Sequence, residues 1–321
     1  MKLSIVVICW NDRPVIGNCL GSIYQRTHST DFEVMVTDNG SVDGSVQFIR
    51  DNFPQARILE NGENFGFARA NNLGIQMSKA ELVLILNPDT VIHSGALDEL
   101  VAFADRHPEA GAFGCRILNP DGSLQCCARP FPTIWRNWIW ALYLRSLVHL
   151  SNVFMSDTYP GWTGDSERTV DWQSGCCLMI RRDLLNNIGG FDENLSYHCQ
   201  DVDLCHRVWD SGHSVLYTPK ATITHSGGFK FSRFGIRFEL EKYRNNYHYF
   251  YKYYGARGIR QFRLSSLVNL RVRQFGWGLV QIARPSLELR HQMEVCRVCA
   301  QWNSGIDPVR FVKEGIEPNS P

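Results

Sequence analysis

The chain has 321 residues, of which 44% are hydrophobic and 20% charged, and its formal net charge at pH 7 is +1. This composition is typical of a packed globular protein and excludes a disordered one, and the near-zero charge gives no reason to expect nucleic acid as a partner. The 11 cysteines are an odd number and include adjacent pairs, so they do not favour a disulfide framework, and we expect a reducing, cytoplasmic compartment. The N-terminal apolar stretch is too short for a signal peptide, and no apolar run is long enough to predict a transmembrane helix.

Roughly the first 90 residues alternate between strand and helix patterns with short connections. The predicted strands are "LSIVVICW" (3–10), "FEVMVTDNGS" (32–41), "ARILENG" (56–62) and "AELVLILNPD" (80–89), and helical spacing covers 13–26, 41–53 and 66–79. This alternation predicts an α/β fold with a parallel, doubly wound sheet. Ligands of such sheets bind beyond the carboxyl ends of the strands.

Two carboxylates stand at these strand ends. Asp38 could form an Asx-turn that caps a helix, or it could accept a hydrogen bond from the base or ribose of a nucleoside. Asp89, in Asn87-Pro88-Asp89, could cap the following helix, or it could bind a Mg²⁺ or Mn²⁺ ion held mainly by substrate phosphates. The local sequence leaves both alternatives open.

Two further candidates lie in the second half of the chain. Helical spacing in "QDVDLCHRVWD" puts Asp201 in a first turn, where the helix dipole favours the ionised carboxylate. Asp201 could therefore act as a general base or merely complement the dipole. His225 ends the short strand "TITH" before two glycines, and it could bind a metal or a phosphate, or do neither.

Taken together, these motifs resemble the family 2 glycosyltransferases, in particular their rhamnosyltransferase-like branch. The resemblance covers about residues 3–255 in one colinear order, through "VTDNGSVDGS", "NFGFARANNLGI", "LILNPDT", "VDWQSGCCLMIRRDLL", "QDVDLCHR" and "THSGG". It implies a GT-A fold, with a mostly parallel sheet flanked by helices, and transfer of a sugar from a nucleotide-sugar donor with inversion of the anomeric carbon. The donor would be dTDP-rhamnose and the acceptor a saccharide or lipid-linked saccharide of cell-surface polysaccharide synthesis.

The resemblance also implies a role for each motif residue. Asp201 would be the catalytic base, and Asp89 and His225 would hold Mn²⁺ or Mg²⁺, with one carboxylate and one imidazole suiting Mn²⁺ somewhat better. The donor-binding residues would be Asp38, Asn64, Gly66, Asn71 and Asn87, and the acceptor-binding residues Trp172, Gly175 and Gln200.

Three positions depart from the family pattern. The metal-binding element reads Asn-Pro-Asp and has only one acid. Gln200 stands where an acid usually precedes the base, so the neighbouring charge that would raise the pKa of Asp201 is missing. Arg69 stands where a small residue is common, which changes the charge expected in the donor pocket.

By this interpretation residues 1–255 form the GT-A domain, with a nucleotide-sugar half (1–115) and an acceptor half (116–255), and 256–321 form a basic helical extension. Residues 134–150 carry three tryptophans, and 257–297 carry eight arginines but only two glutamates. Aromatic and basic residues together favour a peripheral contact with the inner face of the plasma membrane. A homo-oligomer interface or a helical subdomain packed on the sheet are the alternatives.

Three other functions compete with the rhamnosyltransferase. A transferase of the same family could use a UDP-sugar, and a non-catalytic relative could bind nucleotide sugar, an alternative that only Gln200 favours. A sugar-phosphate nucleotidyltransferase needs a Gly-rich basic loop after the first strand, and "CWNDRPVIGNC" does not supply one.

Overall fold

The computed structural model describes residues 1–148, 151, 154, 158–196, 198–227 and 235–315. The chain divides into two compact units, each built from two segments. Unit 1 comprises Met1–Phe131 and Gly161–Gly227, and unit 2 comprises Pro132–Pro160 and Gly228–Pro321. The functional domain boundaries expected from the sequence, with a division at residue 255, stay a prediction.

All the described strands belong to unit 1. They are β1 (Leu3–Cys9), β2 (Phe32–Asp38), β3 (Arg57–Glu60), β4 (Leu82–Leu86), β5 (Thr90–Ile92), β6 (Ala110–Leu118), β7 (Ala128–Arg129), β8 (Arg168–Val170), β9 (Trp172–Gln173), β10 (Cys177–Arg181) and β11 (Ser214–His225).

The described helices are shared between the units. Those of unit 1 are α1 (Ile16–Arg26), α2 (Ser45–Asn52), α3 (Gly66–Met77), α4 (Ala96–Arg106), α6 (Arg182–Asn187) and α7 (Gln200–Asp210), and those of unit 2 are α5 (Ile134–Ala141), α8 (Gly235–Ala283), α9 (Leu287–Gly305) and α10 (Pro308–Glu314).

The central sheet has the strand order β3-β2-β1-β4-β10-β6-β11-β5, and β8 pairs with β11. The four N-terminal strands run parallel, as the alternating sequence pattern predicted. Strand β10 is inserted antiparallel between β4 and β6, and β11 runs parallel to β6. The predicted α/β fold class is confirmed, and so is the predicted helical extension at the C-terminal end of the chain.

Strand β4 shows why the apolar runs lie in the middle of the sheet. All five of its side chains are buried, and its neighbours β1 and β10 occupy both of its edges. A strand that is paired on both edges and covered on both faces has no position for a polar side chain. The first polar residues therefore come where the strand ends, and this places Asn87 and Asp89 at the carboxyl edge of the sheet.

Unit 2 is helical in its described part and has its own core. Tyr247, Tyr249 and Phe250 of α8 are almost completely buried, and Cys296, Cys299 and Trp302 of α9 are buried as well. Helix α8 is interrupted at Gly255, whose φ of 62° and ψ of −164° are not helical. Among the described residues, no helix combines the length and apolar character needed to cross a bilayer.

Candidate functional site

Asp38 ends β2 with its side chain buried. Its Oδ2 accepts hydrogen bonds from the backbone amides of Gly40 and Ser41, both at 3.0 Å, so the predicted Asx-turn is present. It does not cap a helix, because α2 begins only at Ser45. The other oxygen, Oδ1, is buried and has no hydrogen-bond partner in the described part of the chain. Such an oxygen is costly to bury, and an N–H or O–H of a ligand would remove that cost.

Asn39 joins the end of β2 to the start of α3. Its Nδ2 donates to the backbone oxygen of Gly66 at 3.1 Å and lies 3.3 Å from Oδ1 of Asn64. Its own Oδ1 accepts from Asn61 Nδ2 at 2.8 Å. The sequence interpretation did not assign Asn39 a role, although it directly follows Asp38 at a strand end. The structure thus brings Asn64 and Gly66 beside Asp38 through a residue that was missed.

Helix α3 contributes Asn71, which is fully buried. Its Nδ2 donates to the Phe67 backbone oxygen at 3.0 Å, while its Oδ1 lacks a partner among the residues described. The backbone amide of Phe67 donates to the Ser196 oxygen at 3.3 Å. This bond ties the first turn of α3 to the segment that leads into α7.

Asp201 lies in the first turn of α7, as predicted. Its Oδ2 accepts from the Gly175 amide at 3.0 Å and its Oδ1 from the Val202 amide at 2.9 Å. The backbone of Gly175 packs closely there, because a Cβ atom at that position would lie 3.3 Å from the Asp201 Cβ and 3.5 Å from the ring of Phe67. Burial raises the pKa of Asp201, and the two amide hydrogen bonds only partly offset this effect.

Gln200 precedes Asp201 and is 9% exposed. Its Oε1 is buried and, within the described ranges, makes no hydrogen bond. The sequence interpretation held that the lack of an acid at this position removes a cause of a raised pKa at Asp201. The structure shows that burial alone supplies such a cause. The pKa of Asp201 is therefore raised although its neighbour Gln200 carries no charge. Gln200 itself contributes a buried amide oxygen without a hydrogen-bond partner in the described residues.

Asp89 and His225 form a pair across the sheet edge. Nε2 of His225 lies 3.2 Å from Oδ1 of Asp89, and both side chains are largely buried. Strand β11 pairs with β5, which directly follows Asp89, and the Ser226 amide donates to the Asp89 backbone oxygen at 3.0 Å. Asp89 does not cap α4, which begins at Ala96. The alternative reading of Asp89 as a helix cap is thereby excluded.

Two side-chain amides fix the His225 ring. Its Nε2 lies 3.2 Å from Asn87 Nδ2, and its Nδ1 lies 2.8 Å from Gln125 Oε1. Burial lowers the pKa of His225, but hydrogen bonds to Asp89 and Cys176 outweigh it and raise that pKa to about 10. The sequence interpretation missed Gln125, because nothing local links "SLQCC" to a histidine 100 positions away.

The pair offers one carboxylate oxygen and one imidazole nitrogen to a cation. In the described part of the chain, no group of three or more His, Cys, Asp or Glu side chains could hold a metal ion. Two protein ligands nevertheless fit an ion whose remaining ligands are phosphate oxygens and water. Because an imidazolium cannot ligate a metal, binding of an ion by His225 would release its proton.

The segment Gly175-Cys176 contacts both Asp201 and the turn that carries Asp89. The Gly175 amide binds Asp201, and the Cys176 backbone oxygen accepts from the Asn87 amide at 3.0 Å. Asp201 and the Asn87–Asp89 turn are therefore held by adjacent residues, although the two acids are far apart in sequence. Trp172 lies in β9 just before this segment, with its Nε1 donating to the Pro130 oxygen at 3.0 Å.

Arg69 is exposed on α3. Its guanidinium carbon lies 4.0 Å from the ring centroid of Phe65, within cation–π distance. The charge that departs from the family pattern thus stands at the start of α3, next to the motif that contains Asn64 and Gly66.

The chain is similar in sequence and in fold to known proteins. The family model described as "Glycosyl transferase family 2" matches residues 4–159. The N-acetylglucosaminyl-diphospho-decaprenol L-rhamnosyltransferase of Mycobacterium tuberculosis is 32% identical over 234 residues, which cover 70% of this chain and 75% of that protein.

Solved structures share the fold at low sequence identity. The mannosyltransferase PcManGT from Pyrobaculum calidifontis, solved with GDP-Man and Mn²⁺, aligns with a TM-score of 0.54 and 16% identity over 94% of this chain and 87% of that chain. S. aureus TarS 1-349 aligns with a TM-score of 0.51 and 15% identity over 98% of this chain and 92% of that chain. These neighbours confirm the predicted GT-A-type fold.

Proposed function

Because the chain belongs to the family 2 glycosyltransferases and resembles their rhamnosyltransferases, we propose that it transfers L-rhamnose from dTDP-rhamnose, with inversion, to a saccharide or lipid-linked saccharide acceptor. The reaction would serve the synthesis of cell-surface polysaccharide at the cytoplasmic face of the plasma membrane. The name of the mycobacterial relative, which specifies L-rhamnose and a decaprenol-linked acceptor, supports this choice. The observation that carries the proposal is the meeting of Asp201 and the Asp89–His225 pair at Gly175-Cys176.

Asp201 would remove the proton from the acceptor hydroxyl. As that oxygen forms its bond to the anomeric carbon, the bond from this carbon to the nucleoside diphosphate breaks on the opposite side. One displacement of this kind inverts the anomeric centre and needs no covalent enzyme intermediate. The raised pKa of Asp201 makes it a stronger base than an exposed aspartate, provided that the pH stays above this pKa.

Asp89 and His225 would hold Mn²⁺ or Mg²⁺. Bound there, the ion would neutralise the charge that develops on the departing diphosphate. The Mn²⁺ in the structure of PcManGT supports a divalent ion in this fold, without deciding between the two metals. The side chains themselves prepare the position, because Gln125 accepts a hydrogen bond from Nδ1 of the imidazole ring and leaves Nε2 directed at Asp89.

Donor recognition would use the polar atoms that the fold leaves unsatisfied. The buried Oδ1 of Asp38 would accept from the base or ribose, and Asn64, Gly66 and Asn71 would line the same pocket at the start of α3. The buried Oε1 of Gln200 would accept a hydrogen bond from the acceptor, with Trp172 and Gly175 on the same side. Among these residues, Asp38, Asn71 and Gln200 each carry a buried oxygen that has no hydrogen-bond partner in the described part of the chain.

A UDP-sugar-dependent transferase of the same family is the second candidate. Asp38 accepts from either base, so its geometry favours neither nucleotide. The test incubates the protein with Mn²⁺, an acceptor extract and a panel that contains dTDP-rhamnose, UDP-sugars and GDP-mannose. We expect release of dTDP from dTDP-rhamnose alone and a mass increase of one deoxyhexose on the acceptor. Release of UDP alone would show that the donor is a UDP-sugar and not dTDP-rhamnose. If no donor releases its nucleoside diphosphate, a non-catalytic protein is favoured.

Asp201→Asn separates chemistry from binding. The substitution removes the base while keeping the size of the side chain, so we expect kcat to fall about 10²–10⁴-fold and donor affinity to remain. In the unchanged enzyme, kcat/KM should decrease as the pH falls through the raised pKa of Asp201, because protonation disables the base. Calorimetry with dTDP checks binding, and product release checks turnover. Unchanged turnover in the variant would remove Asp201 from the mechanism.

A further inference from the structure

The part of α8 that follows Gly255 has an unusual charge. Between residues 256 and 283 the sequence contains five arginines and no aspartate or glutamate. Three of these arginines, Arg257, Arg260 and Arg271, are exposed. A surface helix of a globular protein usually carries both signs of charge on its outer face, so this segment departs from that pattern.

Large apolar side chains are exposed on the same helix. Phe275 is 71% exposed and Ile282 is 82% exposed, and Leu264, Val272 and Leu279 are exposed as well. Their positions differ by three, four or eight residues, so they form one stripe along a helix face. Arg271 lies four residues before Phe275, and Arg260 four residues before Leu264, which puts both arginines on the stripe. Basic side chains thus precede the apolar stripe and also interrupt it at Arg271.

Helix α5 packs beside this face. Trp138 Nε1 donates to Gln261 Oε1 at 3.2 Å, and Asn269 Nδ2 donates to the Ala141 oxygen at 3.4 Å. Trp135 and Trp140, on the same short helix, remain about half exposed. Two exposed indoles beside an apolar and basic helix are the combination found at membrane–water interfaces.

We propose that this face, which we term the α8 face and define as Arg257, Arg260, Leu264, Arg271, Phe275, Leu279 and Ile282, docks on a bilayer that contains anionic lipid. Charge complementarity selects this occupant, because the arginines would meet lipid phosphates while the apolar side chains enter the acyl boundary. A nucleic acid would engage the arginines but would leave Phe275, Leu279 and Ile282 in water. The inference goes beyond the proposed reaction, since docking needs neither donor nor acceptor.

Vesicle flotation tests the apolar half of the α8 face. The full chain is mixed with vesicles of phosphatidylglycerol and phosphatidylcholine, or of phosphatidylcholine alone, without nucleotide sugar. We expect the wild type to float with the anionic vesicles, and F275E/I282E to bind them at least about tenfold more weakly, because two side chains that would enter the bilayer become charged. The matched control is V42E, which changes a 90% exposed apolar residue of unit 1 and should float as the wild type does.

The basic half is tested with R257Q/R260Q/R271Q. This variant should lose binding to anionic vesicles at low salt, and the loss should resemble that of the wild type at high salt. R310Q, which removes an exposed arginine of α10, is its control and should bind normally. Equal binding of all variants, or equal flotation with phosphatidylcholine alone, would overturn the proposal.

A second copy of the chain is the competing occupant. Sedimentation velocity compares the wild type with F275E/I282E in the absence of lipid. We expect the same mass for both. A dimer that the double substitution converts to a monomer, together with no flotation of the wild type, would make the α8 face an interface between copies and would refute the proposal. Unchanged far-UV circular dichroism and thermal midpoint are required of each variant before it is compared.

Discussion

The reactivity of single side chains in this site is set by where helices and strands end. Asp201 owes its raised pKa to burial at the start of α7, where two backbone amides still hold its carboxylate in place. Asp38 and Gln200 each keep one buried oxygen that has no partner in the described residues. A buried oxygen without a hydrogen bond destabilises the folded protein, so a substrate that donates a hydrogen bond to it would gain the most binding free energy there.

Gln125 provides a prediction at the residue scale. Its Oε1 accepts from His225 Nδ1, which leaves Nε2 facing Asp89 and Asn87. Gln125→Leu removes this acceptor, and loss of the hydrogen bond that orients a metal-binding histidine typically weakens metal affinity about 10–100-fold. The measurement is the free Mn²⁺ signal in electron paramagnetic resonance, with the protein titrated in the presence of dTDP.

Two further variants distinguish orientation from a general structural effect. Gln125→Glu retains an acceptor and should retain most of the Mn²⁺ affinity. Gln47→Leu changes an exposed glutamine of α2, whose Nε2 donates to Asp51 Oδ1, and should leave that affinity unchanged. If Gln125→Leu binds Mn²⁺ as tightly as the wild type, Gln125 does not position the ring.

At the scale of secondary structure, the close packing of α3 on β1 and β2 positions the residues that we propose bind the donor. Gly74 makes this packing feasible, because a Cβ atom there would lie 2.4 Å from Val6 Cγ1 and 2.9 Å from Thr37 Oγ1. Thr37 adjoins Asp38, so any shift of α3 away from the sheet would reach the residue that we propose binds the nucleotide. Gly74 is thus a packing residue whose effect extends to Asn64, Gly66 and Asn71.

Gly74→Ala should destabilise the protein. Overpacking of this kind typically costs about 1–3 kcal/mol, and urea unfolding followed by circular dichroism would measure it. Gly21→Ala, in the middle of α1, is the matched control, since nothing lies within 4 Å of its added Cβ. There the higher helix propensity of alanine should stabilise the protein by about 0.5–1 kcal/mol. If Gly74→Ala leaves the free energy of unfolding unchanged, the close packing of α3 is contradicted.

At the scale of the whole molecule, the chain forms two units with separate cores. Every residue assigned to the candidate site lies in unit 1. In unit 2, Phe311 of α10 packs against Tyr247 and Trp302 at ring distances of 6.2 and 6.0 Å. Stability and substrate binding should therefore respond differently to changes in the two units.

Phe311→Ala tests this separation. Truncation of a buried phenylalanine typically costs about 3–5 kcal/mol, so we expect a clear fall in the thermal midpoint. The affinity for dTDP, measured by calorimetry well below that midpoint, should stay within about twofold, since the donor residues belong to the other unit. Phe275→Ala is the control, because a 71% exposed side chain contributes little to the folded state. Parallel loss of stability and of dTDP affinity would show that the cores are not separate.

The positions of the N-terminal helices and strands could be predicted from the sequence. The periodicity of apolar residues predicted β1 to β4 and α1 to α3, because a buried face imposes its repeat on neighbouring residues. The same reasoning put Asp201 in a helical first turn and His225 at a strand end. Apolar periodicity did not decide whether Asp38 and Asp89 cap helices, because the same turn sequence can occur with or without a helix directly after it.

The tertiary structure alone decided which of these side chains meet. His225 reaches Gln125 across 100 positions and Asn87 across 138, because β11 returns to the edge of the sheet next to β5 and β6. Composition and spacing carry no information about such strand order, which depends on how all the strands pack at once. The sequence by itself therefore determined the family, the helices and strands, and the candidate acids, whereas packing of the sheet paired His225 with Asp89 and placed Asp201 and the Asn87–Asp89 turn against the adjacent residues Gly175 and Cys176.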